Sequence, residues 1–226
     1  MLQQPAQADE FKKQLRDSLQ RKTSESRSVK IARHDNVYTA GDQDEAIYFI
    51  ENGQIKLLML SSDGKECLLA IHNDGDIFGE LCLSELAVRS ETATTMKETT
   101  LKQISCSQFF ARLKSDSLFE GFTRYLAVRI ADQQQVIANL VTVDSEQRLG
   151  QNLLQLARTM GKKDDHSIRI ELRISQEELS EMVGTTRPRI SLFMQRFQNL
   201  GLVETNKDHF FVIKETKLTD YLAQIS

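Results

Sequence analysis

Residues 174–200 read ISQEELSEMVGTTRPRISLFMQRFQNL, and this stretch has the pattern of two helices joined by a short turn. Ser175 and Glu178 have the spacing of a capping box, in which each side chain accepts a hydrogen bond from the backbone N–H of the other residue. Such a box marks the start of a helix, and Gly184 is typical of the residue that follows the end of one. The sequence therefore predicts a first helix that begins after Ser175 and ends at Gly184.

Thr185 or Thr186 is predicted to cap a second helix, with Pro188 in its first turn, where a backbone N–H has no intrahelical partner to lose. Residues 185–200 contain three arginines and no acidic residue. The apolar face of this helix comprises Ile190, Phe193, Met194, Phe197 and Leu200. A glycine turn between two helices, with arginines at the amino end of the second, is typical of a helix-turn-helix that enters the DNA major groove. The alternative is an ordinary helical hairpin with surface arginines.

The segments around these two helices predict the rest of a small domain. Arg148–Thr159 has an apolar face spaced as in a helix, and Gly161–Ser167 is predicted to be a polar break. Ile168–Ile174 alternates apolar and charged side chains, as a strand does. Leu202–Glu204 and Phe210–Ile213, joined by a polar turn, predict a β-hairpin that would form a wing.

Between Val29 and Ile104 the sequence changes to short runs of β-branched and aromatic residues. The pairs Asn52-Gly53, Asp63-Gly64 and Asp74-Gly75 favour tight hairpins, since both central residues of such a turn can take positive φ. Short strands separated by these turns predict an antiparallel sandwich or barrel. The predicted strands include residues 37–39, 47–50, 55–60 and 67–71.

Helical patterns lie on both sides of this β-region. Residues 8–22 predict a short amphipathic helix followed by a loop over residues 22–28, and residues 105–113 predict another short helix. Residues 117–143 contain one glycine and no proline, with apolar residues spaced by three and four. This pattern favours a two-stranded coiled coil, and hence a homodimer; the alternative is a core helix lying on the β-domain. Gln133 falls near the middle of the predicted seam, where a polar residue can fix the register.

Charge and composition limit the classes of function. The net charge of −3 argues against a polybasic nucleic-acid coat. The charge is uneven, however, since residues 1–150 carry 18 basic and 22 acidic side chains, whereas residues 151–226 carry 11 and 10. The polar start predicts no signal peptide, and no apolar run reaches the roughly 20 residues of a membrane span. Three scattered cysteines suit a reducing compartment, so a cytoplasmic protein without a membrane partner is expected.

Other chemistries are poorly supported by the residues. No Ser/His/Asp group, paired acids or phosphate-loop glycines predict an enzyme. An iron–sulfur sensor needs clustered cysteines near the start of the chain, but none precedes Cys67. A haem sensor could use His72, Cys67 or Cys82, although a structural role explains His72 better, and the other histidines lack the spacing of a metal site. No metal and no covalent cofactor are therefore expected.

The β-region and the helix pair together resemble the cyclic-AMP receptor protein/FNR family of bacterial transcription regulators over nearly the whole chain. In the β-region the resemblance lies in Gly41-Asp42, Tyr48-Phe49-Ile50, Gly53, Asp63-Gly64-Lys65-Glu66, Gly75-Asp76-Ile77-Phe78-Gly79-Glu80 and Val88-Arg89-Ser90-Glu91-Thr92-Ala93. It implies an α+β fold with an antiparallel β-roll similar to a cyclic-nucleotide-binding jelly roll. The implied domains are the β-roll with its N-terminal helix (1–116), a long dimerisation helix and hinge (117–144) and a C-terminal winged helix-turn-helix (145–226).

The last two of these stretches resemble the phosphate-binding cassette of cyclic-nucleotide domains. The resemblance implies that Glu80 accepts a hydrogen bond from the ribose 2′-hydroxyl and that Arg89 pairs with the cyclic phosphate. Ser90 and the backbone near Gly79 and Cys82 would help to hold the phosphate. The forked donors of a guanidinium suit a phosphate, and a carboxylate suits a sugar hydroxyl. The alternative is that Glu80 and Arg89 pair with each other in a cassette without ligand.

Two departures from the family pattern concern the effector. Gln133 and Gln134 stand where the cyclic-AMP-binding members place Thr-Ser on the long helix to contact adenine, and a glutamine can still hydrogen-bond a base edge. Glu91 stands where a small apolar residue is usual, and it adds negative charge near the expected phosphate. The expected effector is a cyclic nucleotide, either cyclic AMP or cyclic di-GMP. The alternatives are a different small metabolite, control by a protein partner, or no effector.

The second helix also departs from the founding member of the family. Arg187-Pro188-Arg189 stand where that member has Arg-Glu-Thr, and Leu192 stands where another base-contacting arginine is expected. Arg187 is the candidate for a bidentate contact to guanine O6 and N7, and Arg189 for a base or phosphate contact. Candidates for contacts to the DNA backbone are Thr185, Thr186, Ser191 and Lys207. The expected partners are double-stranded DNA, a second copy of the chain, RNA polymerase and a small-molecule effector.

Overall fold

The computed structural model of the chain describes residues 6–21, 26–61, 66–84, 88–164, 167–170, 174–207 and 210–225. The chain divides into two units, residues 1–133 and 134–226, and the division falls inside one long helix. The first unit contains the predicted β-region, and the second contains the predicted helix-turn-helix.

Two four-stranded antiparallel sheets form the β-region. The elements up to the long helix are α1 (Ala6–Arg21), β1 (Arg27–Ile31), β2 (Asn36–Tyr38), β3 (Ala46–Asn52), β4 (Gln54–Leu60), β5 (Glu66–Asn73), β6 (Ile77–Phe78), a 3-10 helix (Glu80–Ser84), β7 (Thr92–Thr95), β8 (Thr99–Ser105), α2 (Cys106–Ser115) and α3 (Phe119–Thr142). The sheets have the orders β1-β8-β3-β6 and β2-β7-β4-β5. The predicted antiparallel β-roll is therefore confirmed. Strand β1 begins at Arg27, inside the segment predicted as a loop, while residues 22–25 lie outside the described residues.

Two of the three predicted hairpin turns are corners between the sheets. Asn52-Gly53 joins β3 to β4, and Asp74-Gly75 leads from β5 to β6, but in each case the two strands belong to different sheets. The hairpin prediction was wrong there because a glycine with positive φ redirects a chain between sheets as well as reversing it within one. The φ angles are 139° at Gly53 and 86° at Gly75. Strands β4 and β5 do pair as a hairpin, and their turn, with Asp63-Gly64, lies outside the described residues.

Two clusters of buried side chains form the core of the first unit, and strand β3 contributes to both. Ile47 and Phe49 belong to one cluster, whereas Tyr48 and Ile50 belong to the other, as the two-residue period of a strand requires. The first cluster joins the sheet to helices α1, α2 and α3 through Phe11, Leu15, Leu19, Phe109, Leu113, Phe122 and Tyr125. The second cluster fills the space between the sheets with Tyr38, Ile55, Leu57, Phe78, Ala93 and Leu101.

Helix α3 has two different halves. Phe122 and Tyr125, near its start, are buried in the first core cluster. Apolar side chains further along are exposed in the single chain: Ile130, Val136, Ile137, Leu140 and Val141, with exposed fractions from 43% to 82%. The first half thus matches the alternative of a core helix. The second half presents the uncovered apolar face that the predicted coiled coil requires.

The second unit combines helices with a four-stranded antiparallel sheet. Its elements are α4 (Ser145–Met160), β9 (Gly161–Asp164), β10 (Ser167–Ile170), α5 (Gln176–Val183), α6 (Arg187–Asn199), β11 (Val203–Thr205), β12 (Phe211–Ile213) and α7 (Glu215–Gln224). The sheet has the order β11-β12-β10-β9. The predicted helix pair and its wing, formed by β11 and β12, are confirmed. The strand predicted over residues 168–174 is β10, and residues 171–173 lie outside the described residues.

Two elements of the second unit differ from the sequence prediction. The segment predicted as a polar break contains strand β9, whose Lys162 and Lys163 pair with β10 without the apolar alternation that marks a strand. Helix α7 was not predicted, and it packs on α4 with Leu218 and Leu222 buried. Gly150 makes this contact possible, because an added Cβ there would lie 2.6 Å from Cδ2 of Leu222.

The corner at Gly53 yields a prediction with a matched control. Gly53→Ala places its Cβ 2.5 Å from Cβ of buried Thr99. Gly41 also has a positive φ, but the Cβ of Gly41→Ala would have no atom within 4 Å apart from its own residue and its two chain neighbours. Backbone strain costs each variant about 1–2 kcal/mol, and the collision adds about 1–3 kcal/mol to Gly53→Ala alone. Urea unfolding of the two variants measures the difference. Equal losses of unfolding free energy would contradict the collision at Thr99.

Candidate functional site

The cassette begins where strand β6 ends. Ile77 and Phe78 are buried and pair with β3, and Gly79 follows with φ 81°. An added Cβ on Gly79 would lie 3.0 Å from the carbonyl oxygen of Ala46 and 3.1 Å from a guanidinium nitrogen of Arg89. Glycine at this position therefore allows the arginine to approach the turn closely. Glu80 then starts the 3-10 helix.

Arg89 is buried, with 4% of its surface exposed, and its guanidinium already has partners. Nη1 donates to the carbonyl oxygen of Gly79 at 2.7 Å, and Nη2 donates to Oδ2 of Asp44 at 2.8 Å and to the carbonyl oxygen of Ala46. The guanidinium also lies over the ring of Tyr38, 4.3 Å from its centroid. Nε is buried without a hydrogen-bond partner among the described residues. Asp44, which was not predicted as a site residue, is thus the ion-pair partner of Arg89.

A second carboxylate in the cassette, that of Glu91, is hydrogen-bonded to Ser90 and Tyr38. The Ser90 hydroxyl donates to Oε2 of Glu91 at 2.6 Å, and the Tyr38 hydroxyl donates to Oε1 of Glu91 at 2.9 Å. Burial raises the pKa of Tyr38, and the Glu91 carboxylate raises it further, so this hydroxyl stays protonated as a donor. Only 2% of Glu91 is exposed. The buried carboxylate of Glu91 therefore accepts hydrogen bonds from two hydroxyl groups.

Glu80 pairs with an arginine of the long helix, not with Arg89. Nη1 of Arg129 lies 2.8 Å from Oε1 of Glu80 and 3.3 Å from the carbonyl oxygen of Ile77. The alternative in which Glu80 and Arg89 pair with each other is therefore wrong. Oε2 of Glu80 is buried and has no hydrogen-bond partner among the described residues. Arg129 was not predicted as a site residue, although a basic residue one helical turn before Gln133 was a usable signal.

The remaining predicted ligand residues occupy different environments. The backbone N–H of Cys82 donates to the carbonyl oxygen of Gly79 at 3.3 Å, within the turn of the 3-10 helix. Gln133 and Gln134 lie exposed on helix α3. The structure thus joins Arg89 to Gly79 by a hydrogen bond, while Glu80, the next residue, pairs with Arg129 instead. The role of the two glutamines stays a prediction.

The helix-turn-helix forms as its sequence pattern predicts. Ser175 and Glu178 make the capping box at the start of α5, and Gly184 ends that helix with φ 67°. Helix α6 begins at Arg187, and Thr186 before it makes no side-chain capping hydrogen bond. The buried face of α6 consists of Ile190, Phe193, Met194 and Phe197. Leu200, predicted on this face, is exposed because it lies at the C-cap, where the chain leaves the helix.

The predicted DNA-contacting residues lie before and within the first half of α6, except Lys207, which follows strand β11 in the wing. Arg187 and Arg189 are exposed, and the guanidinium of Arg189 lies 5.7 Å from the ring centroid of Phe193. The Ser191 hydroxyl donates to Oε1 of Gln176 on α5. Thr186 and Lys207 are also exposed, while Thr185 is half-buried. By contrast, Arg196 is held by Glu146, with 2.6 Å between Nη1 and Oε2.

Two features are absent from the residues that the structure describes. In the described part of the chain, no helix has the length and apolar character that a membrane crossing requires. In the same residues, no group of three or more His, Cys, Asp and Glu side chains gathers as metal ligands.

A β-roll with a buried arginine against a glycine turn, followed along the chain by a winged helix-turn-helix, is the architecture of a class of DNA-binding transcription regulators. Residues 28–116 match the family model described as a cyclic nucleotide-binding domain, and residues 147–221 match the model described as a Crp-like helix-turn-helix domain. The chain belongs to the cyclic-AMP receptor protein/FNR family of transcription regulators.

Curated relatives and solved structures agree with this family. The chain is 28% identical over 184 residues to a CRP-like cAMP-activated global transcriptional regulator of Mycobacterium tuberculosis, covering 80% of this chain and 81% of that relative. It is 27% identical over 169 residues to the cAMP-activated global transcriptional regulator CRP of Pasteurella multocida, covering 74% and 80%. The fold matches the c-di-GMP responsive global regulator CLP of Xanthomonas campestris with a TM-score of 0.75 at 19% identity, covering 88% and 98%.

The Glu80–Arg129 ion pair yields a prediction about stability. Arg129→Met leaves the Glu80 carboxylate buried and unpaired, so the free energy of unfolding should fall by about 3 kcal/mol at neutral pH. The double variant Glu80→Gln/Arg129→Met removes that charge and should recover most of the loss. Arg124→Met is the control, because Arg124 forms an exposed ion pair with Glu120 on the same helix. Equal losses for the two single variants, measured by urea unfolding, would contradict a stabilising role of the buried pair.

Proposed function

We propose that the chain is a homodimeric transcription regulator whose cassette binds a cyclic nucleotide and whose two α6 helices bind a palindromic DNA site. One observation carries the ligand part of this proposal: the cassette contains a buried acceptor, Oε2 of Glu80, and a buried donor, Nε of Arg89, that lack partners among the described residues. Buried polar groups rarely stay unpaired. A ribose hydroxyl would donate to the first group, and a cyclic phosphate would accept from the second.

The names of related proteins narrow the class of effector. The M. tuberculosis and P. multocida relatives are described as cAMP-activated, and the X. campestris structure is described as c-di-GMP responsive. Cyclic AMP and cyclic di-GMP are therefore the effectors to test first. Gln133 and Gln134, exposed on α3, offer amide groups that can hydrogen-bond a base edge.

A specific observation also favours the rival proposal of a regulator that needs no cyclic nucleotide. The two residues expected to hold the phosphate each have a carboxylate partner, since Arg89 pairs with Asp44 and Ser90 donates to Glu91. An anionic phosphate would have to compete with both carboxylates. Control by a protein partner or by a different metabolite would be compatible with this arrangement.

Titration calorimetry with cyclic AMP, cyclic GMP and cyclic di-GMP separates these proposals. We expect wild-type protein to bind at least one of them and Arg89→Ala to raise its Kd about 100-fold, because a hydrogen-bonded charge contact is lost. Glu80→Ala should also weaken binding. Asp44→Asn should lower the Kd about tenfold by releasing Arg89, whereas Glu45→Gln, at the exposed neighbouring residue, should leave it unchanged.

No heat with any of the three nucleotides, together with DNA binding that they do not alter, would instead support the rival proposal. Wild-type affinity in both Arg89→Ala and Glu80→Ala would contradict the placement of the ligand in this cassette. Thermal unfolding of each variant checks that the fold is retained.

The proposed dimer rests on helix α3. Its exposed apolar side chains, Ile130, Val136, Ile137, Leu140 and Val141, would be covered by the same face of a second copy. Two-fold symmetry would place the recognition helices roughly 34 Å apart, one turn of DNA, over a palindromic site. Coupling between effector and DNA of about 1–3 kcal/mol would change DNA affinity about 5- to 150-fold. The bound dimer would then act on RNA polymerase.

Substitutions on α6 and the wing test the proposed DNA contacts. Arg187→Ala should reduce the preference for a selected genomic site over random DNA by about 1–3 kcal/mol, since Arg187 is proposed to read guanine. Lys207→Ala should weaken binding to both DNAs equally, because Lys207 is proposed to contact phosphate. Competition gel-shift assays measure both ratios. If Arg187→Ala lowers the affinity for both DNAs equally, Arg187 contacts phosphate and does not read a base. If the wild-type protein retains no genomic DNA, the result favours a regulator that acts through a protein partner.

A further inference from the structure

Two of the three cysteines lie side by side next to the cassette. Sγ of Cys82 and Sγ of Cys106 are 2.8 Å apart, which is not far above the roughly 2.05 Å of a disulfide bond. Cys82 lies in the 3-10 helix two residues after Glu80, and Cys106 is the first residue of helix α2. A small movement of either side chain would therefore bring the sulfur atoms to bonding distance.

The surrounding structure holds both cysteines in place. Cys82 packs against the first core cluster together with Leu83. The backbone N–H of Cys106 donates to the carbonyl oxygen of Glu45 at 2.9 Å, and Ser105 before it makes a capping box that fixes the start of α2. Both cysteines are half-buried, whereas Cys67 is exposed on strand β5. The two sulfur atoms therefore lie close together on two segments that the fold holds in place, the 3-10 helix and the start of α2.

We propose that Cys82 and Cys106 form a reversible disulfide, a redox modification site beside the cassette that is oxidised by a peroxide. The bond would covalently join the 3-10 helix that carries Glu80 to helix α2. It would also close a loop of chain that contains Arg89 and Ser90. The evidence for this site is the distance between the two sulfur atoms, and it does not depend on which effector the cassette binds.

The two sulfur atoms have different chemical roles. Burial raises the pKa of the Cys82 thiol, and the neighbouring Cys106 sulfur raises it further, so Cys82 keeps its proton at neutral pH. In the proposed first step the Cys106 sulfur gives up its proton and attacks one oxygen of hydrogen peroxide. The O–O bond breaks, Cys106 becomes a sulfenic acid, and the leaving oxygen takes a proton to form water.

The second step forms the bond between the cysteines. The sulfur of Cys82 attacks the sulfur of the sulfenic acid, the S–O bond breaks, and the departing hydroxide takes the Cys82 proton as a second water. In total the two thiols lose two electrons, and these reduce one peroxide to two waters. A dithiol reductant reverses the reaction by thiol–disulfide exchange.

The test uses the full chain with Cys67→Ser, which leaves only the proposed pair. Treatment with hydrogen peroxide should remove both remaining thiols and lower the mass by two hydrogen atoms. A cross-linked peptide should contain Cys82 and Cys106, and dithiothreitol should restore both thiols. Because each sulfur is held beside its partner, Cys82 should capture the Cys106 sulfenic acid at least about tenfold faster than a second peroxide oxidises it. Sulfinic acid should therefore be absent from Cys67→Ser chains and should form at Cys106 in Cys67→Ser chains that also carry Cys82→Ser.

Three results would overturn the proposal. The first is that both thiols persist at peroxide concentrations that oxidise the exposed Cys67 of the wild-type chain. The second is that the cysteines are oxidised singly to sulfinic or sulfonic acid without a cross-linked peptide. The third is that the disulfides join two chains, which non-reducing electrophoresis would show as a dimer. Thermal unfolding gives a second measurement, since closing the loop should raise the midpoint by about 5–10 °C.

Discussion

The guanidinium of Arg89 is buried in the β-roll, and since its Nε has no partner among the described residues, its charge depends on the groups that pair with the two Nη nitrogens and the ring below it. Its partners come from different parts of the chain: Asp44 before β3, the carbonyl oxygens of Ala46 and Gly79, and the ring of Tyr38 on β2. Each of these groups has to be in place for the charge to be compensated. The requirement thus links the glycine turn after β6 to both sheets, and the shape of the cassette follows from it.

A second arginine makes a separate set of contacts between the same turn and the long helix. Arg129 on α3 pairs with Oε1 of Glu80 and donates to the carbonyl oxygen of Ile77. Because Oε2 of Glu80 is still unpaired among the described residues, a ligand hydroxyl could bind there without displacing Arg129. Under the proposed function, the effector would thus act on a carboxylate that already contacts α3. The same helix carries the exposed apolar face proposed to form the dimer, so ligand and dimer would share one element.

Sequence patterns predicted the features that depend on contacts between residues close together in the chain. The capping box of Ser175 and Glu178, the glycine after α5 and the buried face of α6 all follow from contacts within a few residues, and the structure confirms them. The partners of Arg89 and Glu80 could not be predicted in this way, because Asp44 and Arg129 are each more than 40 residues away along the chain. The corner at Gly53 was mistaken for a hairpin because a positive φ does not specify whether the next strand joins the same sheet.

The charges of the cassette place a condition on any anionic effector. Asp44, Asp76, Glu80 and Glu91 contribute four carboxylates, whereas Lys12, Arg89 and Arg129 contribute three cationic groups, so these side chains are net negative before a phosphate arrives. A phosphate at Arg89 would therefore be repelled unless Asp44 moved away or the new hydrogen bonds outweighed the repulsion. A ligand can shift a conformational equilibrium only by its difference in affinity for the two states. Under the proposed function, an exchange of Asp44 for phosphate at Arg89 would supply such a difference, because the arginine would have distinct partners with and without ligand.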